Sequence, residues 1–358
     1  MADHSILAGL LLAGTAAASV WLMGFPIHHV LVRWNLVDRP NERSSHSQPT
    51  ARGGGIAILL VFLGVTAATQ WSQLSAALLG TTALLAVVSL IDDLRTLPAL
   101  VRFGCHALCA LVMLAVLGWP QFSSLPVRYA WLVLAFLWVT GYTNAFNFMD
   151  GINGLAAGQA AVTGLGMALL AGLASGRWAA PPVVICLVLA GAALGFLPHN
   201  FPRARMFMGD VGSAATGFLL AILALWLARD FGWWLLVPFG LLHANFVLDT
   251  GFTLARRVLR GDRWYEAHRE HFYQRLIRAG KSHARVTLLK LGLQLAVLGL
   301  LCIYLQAGIA GRWLVGATIV VIWAVFFAWA EASFRREQAA RGASGRPIPG
   351  GGISRPDR

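Results

Sequence analysis

Carboxylate and amide side chains stand at the borders of the longest apolar runs of this chain, where acids are functional by default because burying a charge is costly. These residues are Asp92, Asp93, Asn144, Asn147, Asp150, Asn153 and Asp210. Oxygen ligands of this kind suit Mg²⁺, which is typically held by one or two carboxylates together with water and substrate phosphates. The pattern therefore predicts phosphate chemistry assisted by a divalent cation.

The adjacent acids Asp92 and Asp93 follow the apolar run 84–91, so they fall at the C-terminal end of a predicted helix. The helix dipole disfavours anions there, and the pair needs a compensating cation, either a metal or an arginine. Asp210 instead precedes an apolar run, where an aspartate that caps a helix contributes about 1 kcal/mol. Capping is therefore the structural alternative for Asp210, whereas metal binding or catalysis is favoured for the pair.

Two basic loops offer partners for phosphates. Most cations of the last long loop are assigned to anchoring on anionic lipid headgroups. Within that loop His268 and His271 flank Arg269, and histidines spaced by three residues share one helix face. The segment is neither the His-Glu-x-x-His zinc pattern nor a four-ligand site, so hydrogen bonding to phosphate suits these histidines better than zinc. The first loop carries His46, Arg52 and three glycines, whose backbone N–H groups can face an anion.

The elements that carry these residues are membrane spans. Of the 358 residues, 58% are hydrophobic and 12% are charged, about half the charged fraction of soluble domains, which excludes a water-soluble protein. A bilayer core of about 30 Å needs roughly 20 apolar residues per helix. That length predicts eleven spans, near 6–32, 56–71, 74–91, 99–117, 125–141, 155–173, 183–197, 214–228, 233–254, 288–305 and 313–329. The predicted fold class is an all-α polytopic membrane protein with about eleven transmembrane helices and no cleaved signal peptide.

The distribution of cations predicts the orientation. All but four of the 28 Lys and Arg residues lie on alternate connections or in the C-terminal tail, and the exceptions are Arg128, Arg177, Arg229 and Arg312. Because cations accumulate on the cytoplasmic side, we expect the C-terminus and the site inside the cytoplasm and the N-terminus outside it. The net charge of +13 then reflects anchoring, and no nucleic-acid partner is expected. Residues 1–332 are predicted to form the transmembrane domain and residues 333–358 a disordered basic tail.

A cytoplasm-facing pocket that combines Mg²⁺, anion binding and lipid access favours phosphoryl transfer from a soluble nucleotide to a lipid phosphate. Two other classes stay open. A transporter of a lipid-linked or anionic substrate would use the intramembrane Asp249, although the polar groups gather at one face and no inverted repeat is evident. A CDP-alcohol-type phosphotransferase would need an Asp-Gly-x-x-Ala-Arg signature, whereas Asp150-Gly151 is followed here by Ile-Asn-Gly.

As a whole, the chain resembles the polyprenyl-phosphate N-acetylhexosamine-1-phosphate transferases of bacterial glycosyltransferase family 4. The resemblance rests on five collinear segments, Asp38–Gly55, Ile91–Leu97, Asn144–Leu155, Phe201–Gly217 and Asp249–Leu276. The Arg-Ser-Ser-His motif that ends at His46 and the segment from His268 to Leu276 are similar to the branch that initiates O-antigen and related polysaccharides. The muramoyl-pentapeptide branch is the alternative within the superfamily, and it usually has three consecutive histidines in the last loop and Asp in place of Asn153.

The resemblance implies a reaction in which undecaprenyl phosphate and a UDP-N-acetylhexosamine give undecaprenyl-diphospho-sugar and UMP. It implies Mg²⁺, or Mn²⁺ in its place, and a bacterial inner membrane as the location. The N-acetylhexosamine itself stays open between N-acetylglucosamine, N-acetylfucosamine and N-acetylquinovosamine. A homodimeric state also stays open.

Residue by residue, the resemblance assigns Asp210 and Asn147 to the metal and Asp93 to orienting or deprotonating the lipid phosphate, with Asp92 and Asp150 as further catalytic acids. The implied substrate-binding residues are His46, Arg52, Asn144, Asn153, Phe207, His268, Arg269 and His271. Phe207 would stack on uracil unless it belongs to the aromatic belt of the membrane. Because a lipid phosphate is already ionised at neutral pH, positioning and charge neutralisation are expected to outweigh proton abstraction.

Overall fold

Long helices dominate the fold, as the apolar runs predict. The computed structural model describes residues 2–39, 48–95, 97–118, 120, 124–263 and 268–343. The helices are α1 (Ala2–Arg33), α2 (Ile56–Thr69), α3 (Gln73–Arg95), α4 (Ala99–Leu117), α5 (Leu125–Met149), α6 (Leu155–Ser175), α7 (Pro181–Asn200), α8 (Gly209–Phe231), α9 (Leu236–Leu259), α10 (Phe272–Arg278), α11 (His283–Gln306) and α12 (Ile309–Ala343). A short 3₁₀ helix (Trp233–Leu235) precedes α9.

Each of the eleven predicted spans corresponds to one of these helices. In the part of the chain that the structure describes, ten helices are long and apolar enough to cross a membrane, and α2 is a shorter apolar helix of 14 residues. At 1.5 Å per residue α2 is about 21 Å long. Helix α2 starts beside α8, where the Gly55 amide donates to the Met208 carbonyl. The end of α3 contacts the same part of α8 through Asp93. The prediction of an all-α polytopic membrane protein is confirmed.

The centre of the bundle is α8, which is buried along nearly its whole length and packs against α2, α3, α5, α6, α7 and α9. Its Asp210 end lies where α3 ends and α2 begins. We call this end of the bundle the site face. The central position of α8 fixes its first turn relative to several other helix ends at once.

Helices α1 and α7 approach each other closely. A Cβ atom built on Gly191 or Gly195 would lie 2.1 Å from the carbonyl oxygen of Ala13 or Ala17, respectively. Two glycines spaced by four residues form the small-residue stripe that lets helix backbones touch in a membrane. These two glycines therefore hold α1 against the bundle and, with it, the strand that follows α1.

We expect Gly195→Leu to destabilise the protein by about 1–3 kcal/mol, because the added side chain has no space unless α1 moves away. Heating in detergent, followed by the fraction of protein that still elutes as a folded species, measures the effect. The matched control is Gly299→Leu in α11, where an added Cβ meets no atom within 4 Å. Equal melting temperatures for the two variants would contradict this account of the α1–α7 contact.

A small sheet at the site face departs from the all-helical expectation. Its strands are β1 (Val37–Asp38), β2 (Thr50–Arg52) and β3 (Met206–Phe207). The middle strand β2 pairs antiparallel with β1 and parallel with β3, and Arg52 lies opposite Phe207. Strands of two or three residues are too short to show an alternating pattern, so the sequence gives no signal for them. The sheet fixes the backbone of Arg52 beside the start of α8.

Several helices extend beyond the predicted spans, and these extensions contain the predicted site residues. Asp92 and Asp93 lie in the last turn of α3, and Asp210 lies in the first turn of α8. The apolar pattern predicts Asn144 and Asn147 in a connection, but they lie in the last two turns of α5. The helix continues there because Tyr142, Phe146 and Met149 keep a buried apolar stripe at helical spacing.

The last helix also runs further than predicted. The sequence predicts a disordered tail from residue 333, but α12 continues to Ala343. Two ion pairs at helical spacing support this extension, Glu331 with Arg335 at 2.8 Å and Glu337 with Arg341 at 2.7 Å. Residues 344–358 lie outside the described part of the chain.

Candidate active site

Two carboxylates and one guanidinium form the centre of the site. Arg52 Nε lies 3.0 Å from Asp93 Oδ1, and Arg52 Nη2 lies 2.9 Å from Asp210 Oδ1. The side chain of Asp93 is 6% exposed, whereas those of Asp210 and Arg52 are 24% and 40% exposed. Because Asp210 and Arg52 are partly exposed to solvent, a charged ligand can reach the cluster without a rearrangement of the protein.

The carboxylate of Asp93 also caps α8. Its oxygens accept hydrogen bonds from the backbone N–H groups of Asp210, at 3.2 Å, and Val211, at 3.1 Å. Asp93, and not Asp210, therefore caps α8. Its negative charge is disfavoured by the dipole of its own helix, where it lies at the C-terminal end, but is favoured by the dipole of α8, where it lies at the N-terminal end. The carboxylate of Asp210 is left to face Arg52 and the open side of the cluster.

The neighbouring acid Asp92 has different partners. It accepts a hydrogen bond from the Leu97 amide at 2.6 Å and forms an ion pair with Arg102 at 3.0 Å. Arg102, in the first turns of α4, also lies 4.0 Å from Asp210. The acidic pair requires a compensating cation, either a metal or an arginine. The described contacts show arginines, because Arg52 forms an ion pair with Asp93 and Arg102 forms one with Asp92. Arg102 was not among the predicted site residues.

The end of α5 brings amide and carboxyl groups to the same place. The side-chain amide of Asn147 donates to Ser213 Oγ in α8 at 2.9 Å, which leaves the Asn147 carbonyl oxygen as an acceptor. Asp150 follows α5 and lies near the amide of Gly209. Burial and the negative charges of Asp210 and Asp93 raise the pKa of Asp150 well above its usual range. Asn144 donates instead to its own helix, at Thr140 O.

The raised pKa of Asp150 predicts a stability change with pH. A carboxyl group whose pKa is higher in the folded state binds more protons there, so its contribution to stability is lost as pH rises through the folded pKa. We therefore expect Asp150→Asn to melt at a higher temperature than the unchanged protein at pH 7.5 in metal-free detergent buffer. The difference should shrink towards pH 4.

Melting curves over that pH range test this prediction. Asp262→Asn serves as the control, because the side chain of Asp262 is 39% exposed and pairs with Arg260 at the surface. A melting-temperature difference for Asp150→Asn that stays constant over the whole pH range would contradict the repulsion between Asp150 and its acidic neighbours.

The oxygen-rich end of α8 fits a hard divalent cation. Within the described ranges, no three His, Cys, Asp or Glu side chains are grouped closely enough to hold a metal ion by themselves. The donors present are the carboxylates of Asp93, Asp150 and Asp210 and the carbonyl oxygen of Asn147, and all of them are oxygen ligands of the type Mg²⁺ takes. Substrate phosphates would supply the remaining ligands.

A second cluster, deeper in the bundle, holds the loop that contains the predicted histidines. Asp249 in α9 and Lys290 in α11 are both fully buried, and their charged groups lie 2.7 Å apart. The other oxygen of Asp249 accepts a hydrogen bond from the Phe272 amide at 2.9 Å and lies 3.5 Å from His271 Nδ1. Asp249 therefore fixes the start of α10 and lies beside the ring of His271. This structural role accounts for an acid within the membrane without a transported substrate.

The remaining residues of this loop divide between ion pairs and neutral groups. Glu270 pairs with Arg257 at 2.7 Å and with Arg260. The half-buried His268 packs its ring 5.0 Å from that of His271. Burial, followed by His271 and Arg257, lowers the pKa of His268 to about 4. The neutral form of the His268 ring is therefore favoured at neutral pH.

The α5–α6 connection joins the two clusters. The Tyr273 hydroxyl donates to the carbonyl of Phe148 at 3.0 Å, and a Cβ on Gly151 would lie only 2.0 Å from that hydroxyl. Asn153 donates to Pro202 O at 3.1 Å and accepts from Thr287 through its own carbonyl. These contacts indicate that Asn153 fixes the α5–α6 connection.

The structure places the predicted residues at several different locations. The structure brings Asp92, Asp93, Asn147, Asp150, Asp210 and Arg52 together at the end of α8. It places His268, Arg269 and His271 on the loop held by Asp249, and Phe207 in β3 opposite Arg52. Asn144 and Asn153 bond to backbone carbonyls, and His46 lies outside the described residues.

Comparison with known proteins places this arrangement in a family. The profile of glycosyl transferase family 4 matches residues 75–228, a stretch that runs from α3 to α8. Decaprenyl-phosphate N-acetylglucosaminephosphotransferase of Mycobacterium tuberculosis is 34% identical over 312 residues, 77% of each chain. A probable undecaprenyl-phosphate N-acetylglucosaminyl 1-phosphate transferase of Bacillus subtilis is 30% identical over 268 residues, 72% of this chain and 74% of its own. A phospho-N-acetylmuramoyl-pentapeptide-transferase of Synechococcus is 34% identical over 243 residues, 61% of this chain and 67% of its own.

The profile match covers all five predicted acids and amides that meet at the end of α8, and the mycobacterial relative extends the similarity over most of the bundle. The chain therefore belongs to glycosyl transferase family 4, the family of polyprenyl-phosphate N-acetylhexosamine-1-phosphate transferases.

Proposed function

We propose that the protein transfers N-acetylhexosamine 1-phosphate from a UDP-sugar to undecaprenyl phosphate and releases UMP, with Mg²⁺ as cofactor. The observation that carries the proposal is the cluster in which Arg52 holds Asp93 and Asp210 at the meeting point of α3, α8 and β2. The names of the mycobacterial and Bacillus relatives support it, because they describe N-acetylglucosamine phosphate transfer with polyprenyl phosphates.

In the proposed reaction an oxygen of the lipid phosphate attacks the β-phosphorus of the UDP-sugar. The bond between that phosphorus and the bridging oxygen breaks, and UMP leaves with the bridging oxygen. Both oxygens of Asp93 already accept hydrogen bonds from α8, and one also faces Arg52. This geometry supports a role for Asp93 in orienting the groups around the reacting phosphates rather than in removing a proton.

Charge neutralisation is the main task of the other residues. Asp210 and Asn147 would hold Mg²⁺, with Asp150 and Asp93 beside it. When bound, the ion would neutralise negative charge on the diphosphate. Arg52 and Arg102 border the same place, and a guanidinium matches phosphate oxygens with two parallel hydrogen bonds.

The donor diphosphate is assigned to the loop of His268, Arg269 and His271. A neutral imidazole at His268 can donate a hydrogen bond without adding charge, and Arg269 supplies the cation. Phe207 is assigned to the uracil ring, because it lies opposite Arg52 in the sheet. The connection that carries Asn153 would set the distance between this loop and the acidic cluster.

The proposed cellular setting rests on the charge distribution. We place the site face in the cytoplasm of a bacterial cell and the protein in its inner membrane, with the N-terminus on the opposite side, because nearly all cations belong to the loops of that face. The product would initiate O-antigen or a related cell-envelope polysaccharide. A muramoyl-pentapeptide-type activity is the second candidate, because a relative of that name matches 61% of the chain.

The test uses the full-length protein purified in detergent, with undecaprenyl phosphate and a panel of UDP-N-acetylhexosamines that includes UDP-N-acetylmuramoyl-pentapeptide. We expect at least one UDP-N-acetylhexosamine to yield UMP and a lipid diphospho-sugar, only when the lipid and Mg²⁺ are both present. Mn²⁺ and EDTA are the comparison conditions. Absence of UMP with every donor would reject the proposed reaction, and full turnover in EDTA would reject the role of the metal.

A further inference from the structure

We propose that Glu331 in α12 is a positioning residue for the UDP-sugar, because it fixes the placement of the segment His268–His271 through Arg275. The inference rests on the proposed function, which assigns the donor diphosphate to that segment. Glu331 belongs to the last helix and is far along the chain from every predicted site residue.

Glu331 gathers arginines from three helices. Its Oε2 lies 2.6 Å from Arg275 Nη1 in α10 and 3.2 Å from Arg256 Nη1 in α9. Its Oε1 lies 2.8 Å from Arg335 Nε, one turn further along α12. The side chain of Glu331 is 22% exposed and that of Arg275 only 7%. One carboxylate of α12 therefore binds the last turn of α9 and the short helix α10.

Arg275 transmits this contact to the backbone of the donor segment. Its Nε donates to the carbonyl oxygen of Glu270 at 2.8 Å, and its guanidinium lies 5.1 Å from the ring centre of Phe334. The same guanidinium therefore contacts α12 on one side and the residue between Arg269 and His271 on the other. A change at Glu331 is expected to shift that carbonyl, and with it the neighbouring histidine.

Among the described residues, no other acid near Arg275 offers the same contact. Glu270 is already paired with Arg257 and Arg260, and its carboxylate lies 3.5 Å from Arg275. Without the charge of Glu331, the positive charges of Arg256 and Arg275 repel each other. Arg275 is too buried for its guanidinium to be solvated by water instead. Arg335 is 75% exposed and loses little. The consequence is therefore expected in α10 and the donor segment.

Enzyme kinetics test the positioning role. We expect Glu331→Gln to raise the KM for the UDP-sugar about tenfold, with kcat and the KM for undecaprenyl phosphate within about twofold of the unchanged protein, because donor binding is weakened uniformly. Glu331→Asp keeps the charge and should recover part of the loss. Glu337→Gln is the control, since Glu337 pairs only within α12 among its described contacts. Unchanged donor KM in Glu331→Gln would overturn the proposal.

Amide hydrogen exchange tests the same claim without turnover. In Glu331→Gln the amides of residues 268–278, including the Phe272 amide bonded to Asp249, should exchange about tenfold faster, whereas those of α6 should not change. Exchange that is unaltered in the segment, or raised throughout the bundle, would overturn the positioning role. If the unchanged protein releases no UMP from any donor, the proposed function fails, and exchange alone decides the role of Glu331.

Discussion

Asp93→Asn and Asp210→Asn are each expected to lower kcat for UMP release by about a thousandfold while the protein stays folded. Loss of a preorganised charged group at a phosphoryl-transfer site commonly costs about two to three powers of ten in rate. A side-chain amide in place of the Asp93 carboxylate has only one acceptor oxygen, whereas both carboxylate oxygens accept from α8 and one also faces Arg52. The Asp210 variant removes the carboxylate assigned to Mg²⁺.

The matched control is Asp230→Asn at the opposite end of α8. Asp230 pairs with Arg229 at 3.2 Å and accepts a hydrogen bond from Trp226 at 3.0 Å, so it has a local ion pair of similar type far from the site face. The control should keep near-normal turnover. Near-normal kcat in either the Asp93 or the Asp210 variant would remove that residue from the catalytic site.

Lys290→Met is expected to lower the free energy of unfolding by about 3–5 kcal/mol, because it leaves the Asp249 carboxylate buried without its cation. The two charged groups lie 2.7 Å apart and both side chains are fully buried. Adding Asp249→Asn to Lys290→Met removes the unpaired charge, so the double variant should regain most of the lost stability. The double variant should remain less active than the unchanged protein, because a neutral amide oxygen holds the Phe272 amide and attracts the ring of His271 more weakly than the carboxylate does.

Denaturation in detergent micelles measures the stabilities of the four members of this cycle. Lys281→Met, at the loop between α10 and α11, is the control for the loss of a lysine, and it should leave the melting curve almost unchanged. If the double variant were no more stable than Lys290→Met alone, the buried ion pair would not be the cause of the destabilisation. Full activity in the double variant would contradict the role of Asp249 in placing His271.

The sequence predicts the helices and the acids well because both leave local signals. Apolar runs of about 20 residues define the spans, and acids at their borders indicate where a site is expected. The helix-dipole argument for Asp92 and Asp93 requires a compensating cation, and Arg102 and Arg52 satisfy it. The same argument does not identify the compensating cation, because Arg102 and Arg52 lie on other elements, α4 and β2.

The parts that the sequence does not predict depend on contacts between distant elements. Lys290 counts as one more cation of an anchoring loop in the sequence, yet it is fully buried opposite Asp249. The strands that place Arg52 are too short for any periodic pattern. Asp93 caps a helix that begins more than a hundred residues later. All three contacts join residues that are far apart in the chain, so no local sequence pattern predicts them.

The fate of the β-phosphate tests the central claim most directly. The full-length protein is incubated with undecaprenyl phosphate, Mg²⁺ and an accepted UDP-N-acetylhexosamine that carries radioactive phosphorus only in its β-phosphate. Transfer of sugar 1-phosphate predicts that the label moves into the lipid fraction and that the released nucleotide is unlabelled UMP. Recovery of the label in UDP, with an unlabelled glycolipid, would show transfer of the sugar alone and would contradict the proposed reaction.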